Sequence, residues 1–106
     1  MAFTARHNIT TVLTQNLVAA GDNAGNITSV HLANVDASDS VNVDLIVNGP
    51  SNSNHYIIKN VSISSGASLT VDTKEIPIDT RSNGDSLRIK LSAATPIDVL
   101  INATRW

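Results

Sequence analysis

Regular alternation of apolar and polar side chains constrains the fold of this chain more than any other feature. In the clearest segment every second residue is aliphatic, namely Val41, Val43, Leu45 and Val47. Successive side chains of a β-strand point to opposite faces of its sheet, so such a segment buries one face and exposes the other. The same spacing recurs in residues 87–91 and 97–101, and it predicts strands rather than helices.

Turn-forming residues separate the extended segments from one another. Gly, Asn, Asp and Ser cluster between them at intervals of about 8–12 residues, and no window shows sustained helical periodicity. We expect about eight strands, with residues 41–63 forming a hairpin and residues 9–18 forming one extended segment. Residues 76–78 are expected to be a short edge strand, because Pro77 cannot donate a hydrogen bond. The pattern predicts an all-β chain folded as a single β-sandwich, jelly-roll-like or immunoglobulin-like.

The length of the chain, 106 residues, allows one domain with one core. Within it, residues 9–18 alternate only weakly and are followed by a turn-rich stretch at residues 19–25. We therefore expect residues 1–20 to form an extended arm. Such an arm can add a strand to the exposed sheet edge of a neighbouring subunit.

Charge and composition argue against several classes of partner. The net charge is −2 and charged residues make up 15% of the chain, so there is no basic footprint for nucleic acid. No apolar run approaches the roughly 20 residues that span a bilayer, and the first residues lack the apolar core of a secretory signal. The absence of cysteine removes disulfides and thiol chemistry. We predict neither a nucleic-acid nor a membrane partner.

No residue pattern predicts catalysis or a cofactor. The nucleophile motif G-x-S-x-G is absent, and Glu75 is the single glutamate available for a two-carboxylate mechanism. His7, His31 and His55 are too widely spaced for a local zinc site. Residues 36–40 carry the oxygen ligands that Ca²⁺ prefers but lack the spacing of an EF-hand, and turn formation explains them equally well. We predict a non-enzymatic protein with no catalytic residue, cofactor or metal.

The aromatic residues suggest a contact surface. The chain has three, Phe3, Tyr56 and Trp106, so aliphatic side chains must fill the core. Large aromatic side chains are over-represented as anchors of protein interfaces. We expect an interface formed by Phe3, Ile9, Val12, Leu13 and Trp106. The alternative is that Phe3 and Trp106 cover the open ends of the domain's own core.

Three short motifs follow one another along the chain. Leu32-Ala33-Asn34 ends one strand, V-x-I-x-x-G-x-S-L runs from Val61 to Leu69, and G-D-x-L-x-I runs from Gly84 to Ile89. With these motifs, residues 27–103 resemble small virion structural proteins of tailed bacteriophages, including those of cyanobacterial phages. Residues 81–83 lengthen the turn before the third motif, and we expect a local contact there.

The resemblance implies a non-enzymatic structural component of a virion, made in the cytoplasm of the host bacterium. It implies a homo-oligomer that contacts other virion proteins, either as a capsid decoration or cement protein or as a neck or tail protein. It transfers no functional residue to this chain.

The alternative hypothesis is a carbohydrate-binding or receptor-binding β-sandwich module. Sandwich domains that bind glycans usually present aromatic platforms, whereas Tyr56 is the one aromatic residue in the middle of this chain. The polar loop at residues 48–54 could still contribute hydrogen bonds to a glycan.

Overall fold

Eight strands account for all the regular secondary structure in the described residues. The computed structural model describes residues 3–19, 27–49, 53–76, 78 and 84–103, and for residues 3–6 it describes the backbone alone. The strands are β1 (Phe3–Ile9), β2 (Gln15–Val18), β3 (Ile27–Asn34), β4 (Val41–Asn48), β5 (Asn54–Ile63), β6 (Ser68–Asp72), β7 (Ser86–Leu91) and β8 (Ile97–Ala103).

The strands form two four-stranded antiparallel sheets that pack face to face. Sheet A has the order β1-β8-β3-β6, and sheet B has the order β2-β7-β4-β5. The pairs β1–β8, β2–β7, β3–β6 and β4–β5 are nested within one another, as in one long hairpin rolled into a sandwich. This nesting is the jelly-roll arrangement. The all-β sandwich prediction is confirmed, in its jelly-roll form, and so is the hairpin at residues 41–63.

The core consists of aliphatic side chains from the facing sides of both sheets. In β8, Ile97, Val99 and Ile101 are fully buried, and the residues between them are exposed. In β4, the alternate residues predicted from the sequence are all buried in the same cluster. Burying one such side chain stabilises the fold by about 1.5–3 kcal/mol relative to leaving it exposed. The alternation is therefore the main determinant of which faces meet.

Two irregular strands keep their apolar residues inside by changing register. In β2 the register shifts between Asn16 and Val18, and the consecutive residues Leu17 and Val18 are both buried. In β3 a shift after Ile27 lets Ile27 and Val30, three positions apart, both reach the core. A bulge inserts one extra residue and so reverses the facing of the residues beyond it. The shift in β2 explains why sequence alternation is weak at residues 9–18.

The amino-terminal segment lies within the sandwich instead of extending from it as an arm. Its strands β1 and β2 pair with β8 and β7 of the same chain. The single extended segment predicted at residues 9–18 is interrupted by a turn in which the Leu13 N–H donates to Thr11 Oγ1 at 3.2 Å. A threonine hydroxyl can stabilise a turn without Gly or Pro, so the sequence carries no strong turn signal at these positions.

The edge strand predicted at residues 76–78 is not formed by Ile76 or Ile78, and Pro77 lies outside the described residues. The Ile76 N–H donates to the Thr73 carbonyl at 3.1 Å, which closes a turn after β6. Ile78 is buried and belongs to the core. Ile76 and Ile78 therefore pack against the core from a loop and not from a strand.

Strand β5, at one edge of sheet B, carries two bulges opposite β4. One of them contains Asn60, whose φ of 59° lies in the left-handed region. Two side chains of β4 hold this conformation: Asp44 Oδ1 accepts the Asn60 N–H at 2.6 Å, and Asn42 Nδ2 donates to Asn60 Oδ1 at 3.0 Å. Bulges distort an edge strand and discourage pairing with a further strand.

Asn60→Val should destabilise the protein, because a β-branched residue is strained at positive φ and cannot replace the bond from Asn42. We expect the free energy of unfolding, measured by denaturant titration, to fall by about 2 kcal/mol. The control Asn60→Gly tolerates positive φ and should lose less than half as much. Equal losses for the two variants would contradict this role of the backbone conformation.

Candidate functional site

Four loops meet at one end of the sandwich, which we call the loop end. They are residues 10–14, 35–40, 64–67 and 92–96. Cα pairing aligns Ile9, Ile97 and Asn34 across three neighbouring strands of sheet A, so the loops that follow or precede these residues are adjacent. In sheet B, Val41 follows the 35–40 loop and Ile63 precedes the 64–67 loop, and the pairing of these two residues places the two loops side by side.

Asn34 ties two of these loops together from a buried position. Its Nδ2 donates to the Asp39 carbonyl at 2.8 Å and to the Ile63 carbonyl at 3.0 Å, and its Oδ1 accepts the Asp36 N–H at 3.0 Å. Its backbone N–H donates to the Ala67 carbonyl, and its carbonyl accepts the Gly66 N–H. With 1% of its surface exposed, Asn34 fixes the β3–β4 loop against the β5–β6 turn.

Asp36 organises the exposed part of the β3–β4 loop. Its Oδ2 accepts the Asp39 N–H at 2.7 Å and the Ser38 N–H at 3.0 Å. These two bonds, that from Asp39 first, lower the pKa of the Asp36 carboxyl below its ordinary value. The Asp36 carbonyl also accepts the Ser65 hydroxyl at 2.7 Å. The loop is therefore held in one conformation by groups of its own and of its neighbour.

Exposed apolar side chains are concentrated at this organised end. Val12, Leu13 and Val35 are 45%, 68% and 50% exposed, and they are three of the five large apolar side chains that lie exposed in the described residues. The other two are Tyr56 on β5 and Leu100 on β8. The four loops contain no Lys, Arg or His. The loop end thus presents aliphatic groups on a preformed, weakly acidic surface.

The structure separates the residues that we expected to form one interface. Val12 and Leu13 are exposed at the loop end, whereas Ile9 is buried in the core and cannot contact a partner directly. The Phe3 backbone pairs with Ala103 at the start of β1. Trp106 and the contact expected at residues 81–83 lie outside the described residues, as do residues 50–52 of the polar loop.

A second candidate surface is lined by residues that are distant from one another in the sequence. His7 and His31 line the same depression on sheet A, together with Asp98, although 91 positions separate His7 from Asp98 in the sequence. The His7 Nε2 atom is buried and has no hydrogen-bond partner in the described part of the chain. No sequence signal predicts this convergence, because it depends on strand order.

Neither surface is arranged as a metal centre in the described ranges. No group of three His, Cys, Asp or Glu side chains there could hold a metal ion. In the loop considered for Ca²⁺, an Asp36 carboxylate oxygen is already bonded to backbone N–H groups. The described residues also contain no helix capable of crossing a membrane.

Asn34→Ala should destabilise the protein by about 2–3 kcal/mol, because it leaves two carbonyl groups and one N–H without partners near the core. Denaturant unfolding monitored by circular dichroism measures this loss. The control Asn16→Ala removes an exposed asparagine from β2 and should change stability by less than about 0.5 kcal/mol. Similar values for both variants would refute the role assigned to Asn34.

Acid should weaken the β3–β4 loop through Asp36. Because its pKa is lowered in the folded protein, the ionised carboxylate stabilises the fold above the ordinary aspartate pKa, and this contribution is lost as pH falls through the lowered value. Below about pH 4 the wild-type protein should therefore lose stability more steeply than Asp36→Asn, as measured by unfolding at a series of pH values. Parallel pH curves would contradict this assignment.

No protein-family model and no curated protein matches the sequence. Among solved structures, the chain is similar to the nucleoplasmin-like N-terminal domain of Drosophila FKBP39, with a TM-score of 0.42 and 11% identity. The alignment covers 97% of this chain and 89% of that domain. No function is inferred from that likeness.

Proposed function

We propose that the chain is a non-enzymatic structural module that assembles through protein–protein contacts at its loop end. The observation that carries this proposal is that Val12, Leu13 and Val35 lie exposed at the same end of the sandwich, on two loops of which Asn34 fixes the one that contains Val35. Apolar side chains grouped on a preformed surface favour association, because little conformational entropy is lost on binding. The absence of basic groups from these loops suits a protein partner better than a nucleic acid.

The assembly in which we place the module is a tailed-phage virion. This part of the proposal rests on the sequence resemblance of residues 27–103 to small virion structural proteins. Jelly-roll domains serve in viral capsids and also in lectins, so the fold is compatible with it without deciding the function. The number of copies of this chain per purified particle tests the placement. On the order of hundreds of copies would indicate capsid decoration, and a low multiple of three or six would indicate a neck or tail position. Absence of the chain from the particle would refute the placement.

A homo-oligomer is the simplest assembly that uses this surface. Closed symmetric oligomers bury the same patch in every subunit, and the loop end offers one compact patch per chain. Two exposed leucines provide a matched pair of variants, because Leu13 lies at the loop end and Leu100 lies on the outer face of sheet A.

Leu13→Asp should dissociate the oligomer, because it places a charge in the centre of the apolar contact. We expect light scattering after size exclusion, over a protein concentration series, to give a closed oligomer for the wild type and for the matched control Leu100→Asp. Leu13→Asp should give a monomer, with unchanged circular dichroism. A wild-type protein that is monomeric at every concentration, or an oligomer that survives Leu13→Asp, would refute this contact.

A further inference from the structure

The outer face of sheet A carries a regular array of polar side chains. Since Ile97, Val99 and Ile101 face the core, the intervening residues of β8 face outward. Register places Asn8, Asp98 and Ala33 side by side on three adjacent strands. The next row on this face contains Leu100, His31 and Thr70, and a third contains Asn102, Ser29 and Asp72.

One hydrogen bond between side chains of neighbouring strands fixes each row. Asn8 Nδ2 donates to Asp98 Oδ1 at 2.8 Å, and Asn102 Nδ2 donates to Ser29 Oγ at 3.1 Å. His31 Nδ1 and Thr70 Oγ1 are 2.7 Å apart. These bonds lock the rotamers of the array without using all its polar atoms. Within the described residues no bond uses Asp98 Oδ2, Asn8 Oδ1 or His31 Nε2, so these atoms retain capacity for a ligand.

A depression of about 460 Å³ lies within this array. The described residues that line it are His7, Asn8, His31, Ala33, Asp98 and Leu100. The volume falls in the range of small-ligand clefts, roughly 300–1,000 Å³. Leu100 is 40% exposed although it lies in the middle of a polar face, so an aliphatic floor is surrounded by fixed polar groups.

The lining chemistry suits one class of ligand. We propose that this depression binds a neutral saccharide, with adjacent hydroxyl groups bonded to Asp98 and Asn8 and the C–H face of the ring packed on Leu100. A carboxylate and an amide held side by side can accept and donate to neighbouring hydroxyls. Adjacent strands are about 4.8 Å apart, and alternate residues along a strand are about 6.7 Å apart, spacings that match the width of a sugar ring.

Other ligand classes fit the depression less well. Among the lining side chains that the structure describes, none is a Lys or Arg that could pair with a phosphate or a carboxylate ligand. A metal ion also fits poorly, since no group of three His, Cys, Asp or Glu side chains in the part of the chain that the structure describes is arranged to hold one. A preformed polar array around an aliphatic floor binds without reorganisation, which favours recognition of a small rigid ring.

None of the described lining residues belongs to the four loops of the loop end, so the two surfaces can be tested with different variants. Asp98→Asn removes the carboxylate at the centre of the site, and Glu75→Gln removes one charge from an exposed position outside it. Leu100→Ala removes the aliphatic floor, and Leu13→Ala makes the same change at the loop end.

The experiment is a binding screen of the full-length protein against an array of neutral oligosaccharides, followed by titration with the strongest binder. Calorimetry gives the affinity, and amide chemical shifts of ¹⁵N-labelled protein locate the site. We expect shifts confined to strands β1, β8 and β3 around Asn8, Asp98 and His31. Asp98→Asn should weaken binding at least tenfold and Leu100→Ala several-fold, whereas Glu75→Gln and Leu13→Ala should bind as the wild type does.

Three results would overturn the proposal. One is the absence of binding to any neutral oligosaccharide at millimolar concentration. Another is binding whose shifts lie elsewhere or whose affinity is unchanged in Asp98→Asn. The third is a preference for acidic glycans or peptides over neutral sugars. Light scattering of the same variants reports on assembly alone, so failure of the saccharide site and failure of the loop-end contact are distinguishable.

Discussion

The packing of two aliphatic sheet faces is the interaction on which the rest of this structure depends. Neither four-stranded sheet can bury its apolar face alone, and no disulfide is available to staple them. Side chains such as Leu45 and Val99 are completely buried between the sheets. The strand pairs are nested in the order β1–β8, β2–β7, β3–β6 and β4–β5, and the two members of each pair lie side by side in one sheet. As a result, four loops lie at one end of the sandwich, and an ordered array of polar side chains lies on the outer face of sheet A.

The two surfaces obtain their rigidity in different ways. At the loop end, one buried amide, Asn34, satisfies backbone groups from two loops. On sheet A, bonds between side chains of adjacent strands, such as that from Asn8 to Asp98, hold the array in place. Both surfaces are thus preformed before any partner arrives, which reduces the entropy lost on binding. They differ in chemistry, since the first is mainly aliphatic and the second mainly polar.

The sequence predicted the sandwich wherever alternation was regular, as in β4 and β8. It failed where local chemistry was ambiguous. The turn around Leu13 is stabilised by a threonine hydroxyl and contains no Gly or Pro. Ile76 looked like a strand residue because it is apolar, but it packs against the core from a loop. The bulge in β2 disguises a strand by placing Leu17 and Val18 on the same side.

The candidate surfaces could be predicted only in part. Exposed apolar residues near Leu13 were expected to form an interface, but Ile9 could not be distinguished from them without knowing which side of β1 faces the core. Asn34 belonged to a recognisable motif, yet its bonding partners lie on other loops. The meeting of His31 with Asp98 depends on strand order and register, which alternation alone does not determine.

The most direct test of the central claim, contact through the loop end, is hydrogen–deuterium exchange of the wild-type protein above and below its association concentration. Exchange reports on each surface without any substitution, so a folding defect cannot confuse the result. We expect association to slow exchange in residues 10–14 and 35–40 and to leave the strands of sheet A unchanged. Slower exchange confined to sheet A, or no change at the loop end on association, would contradict it.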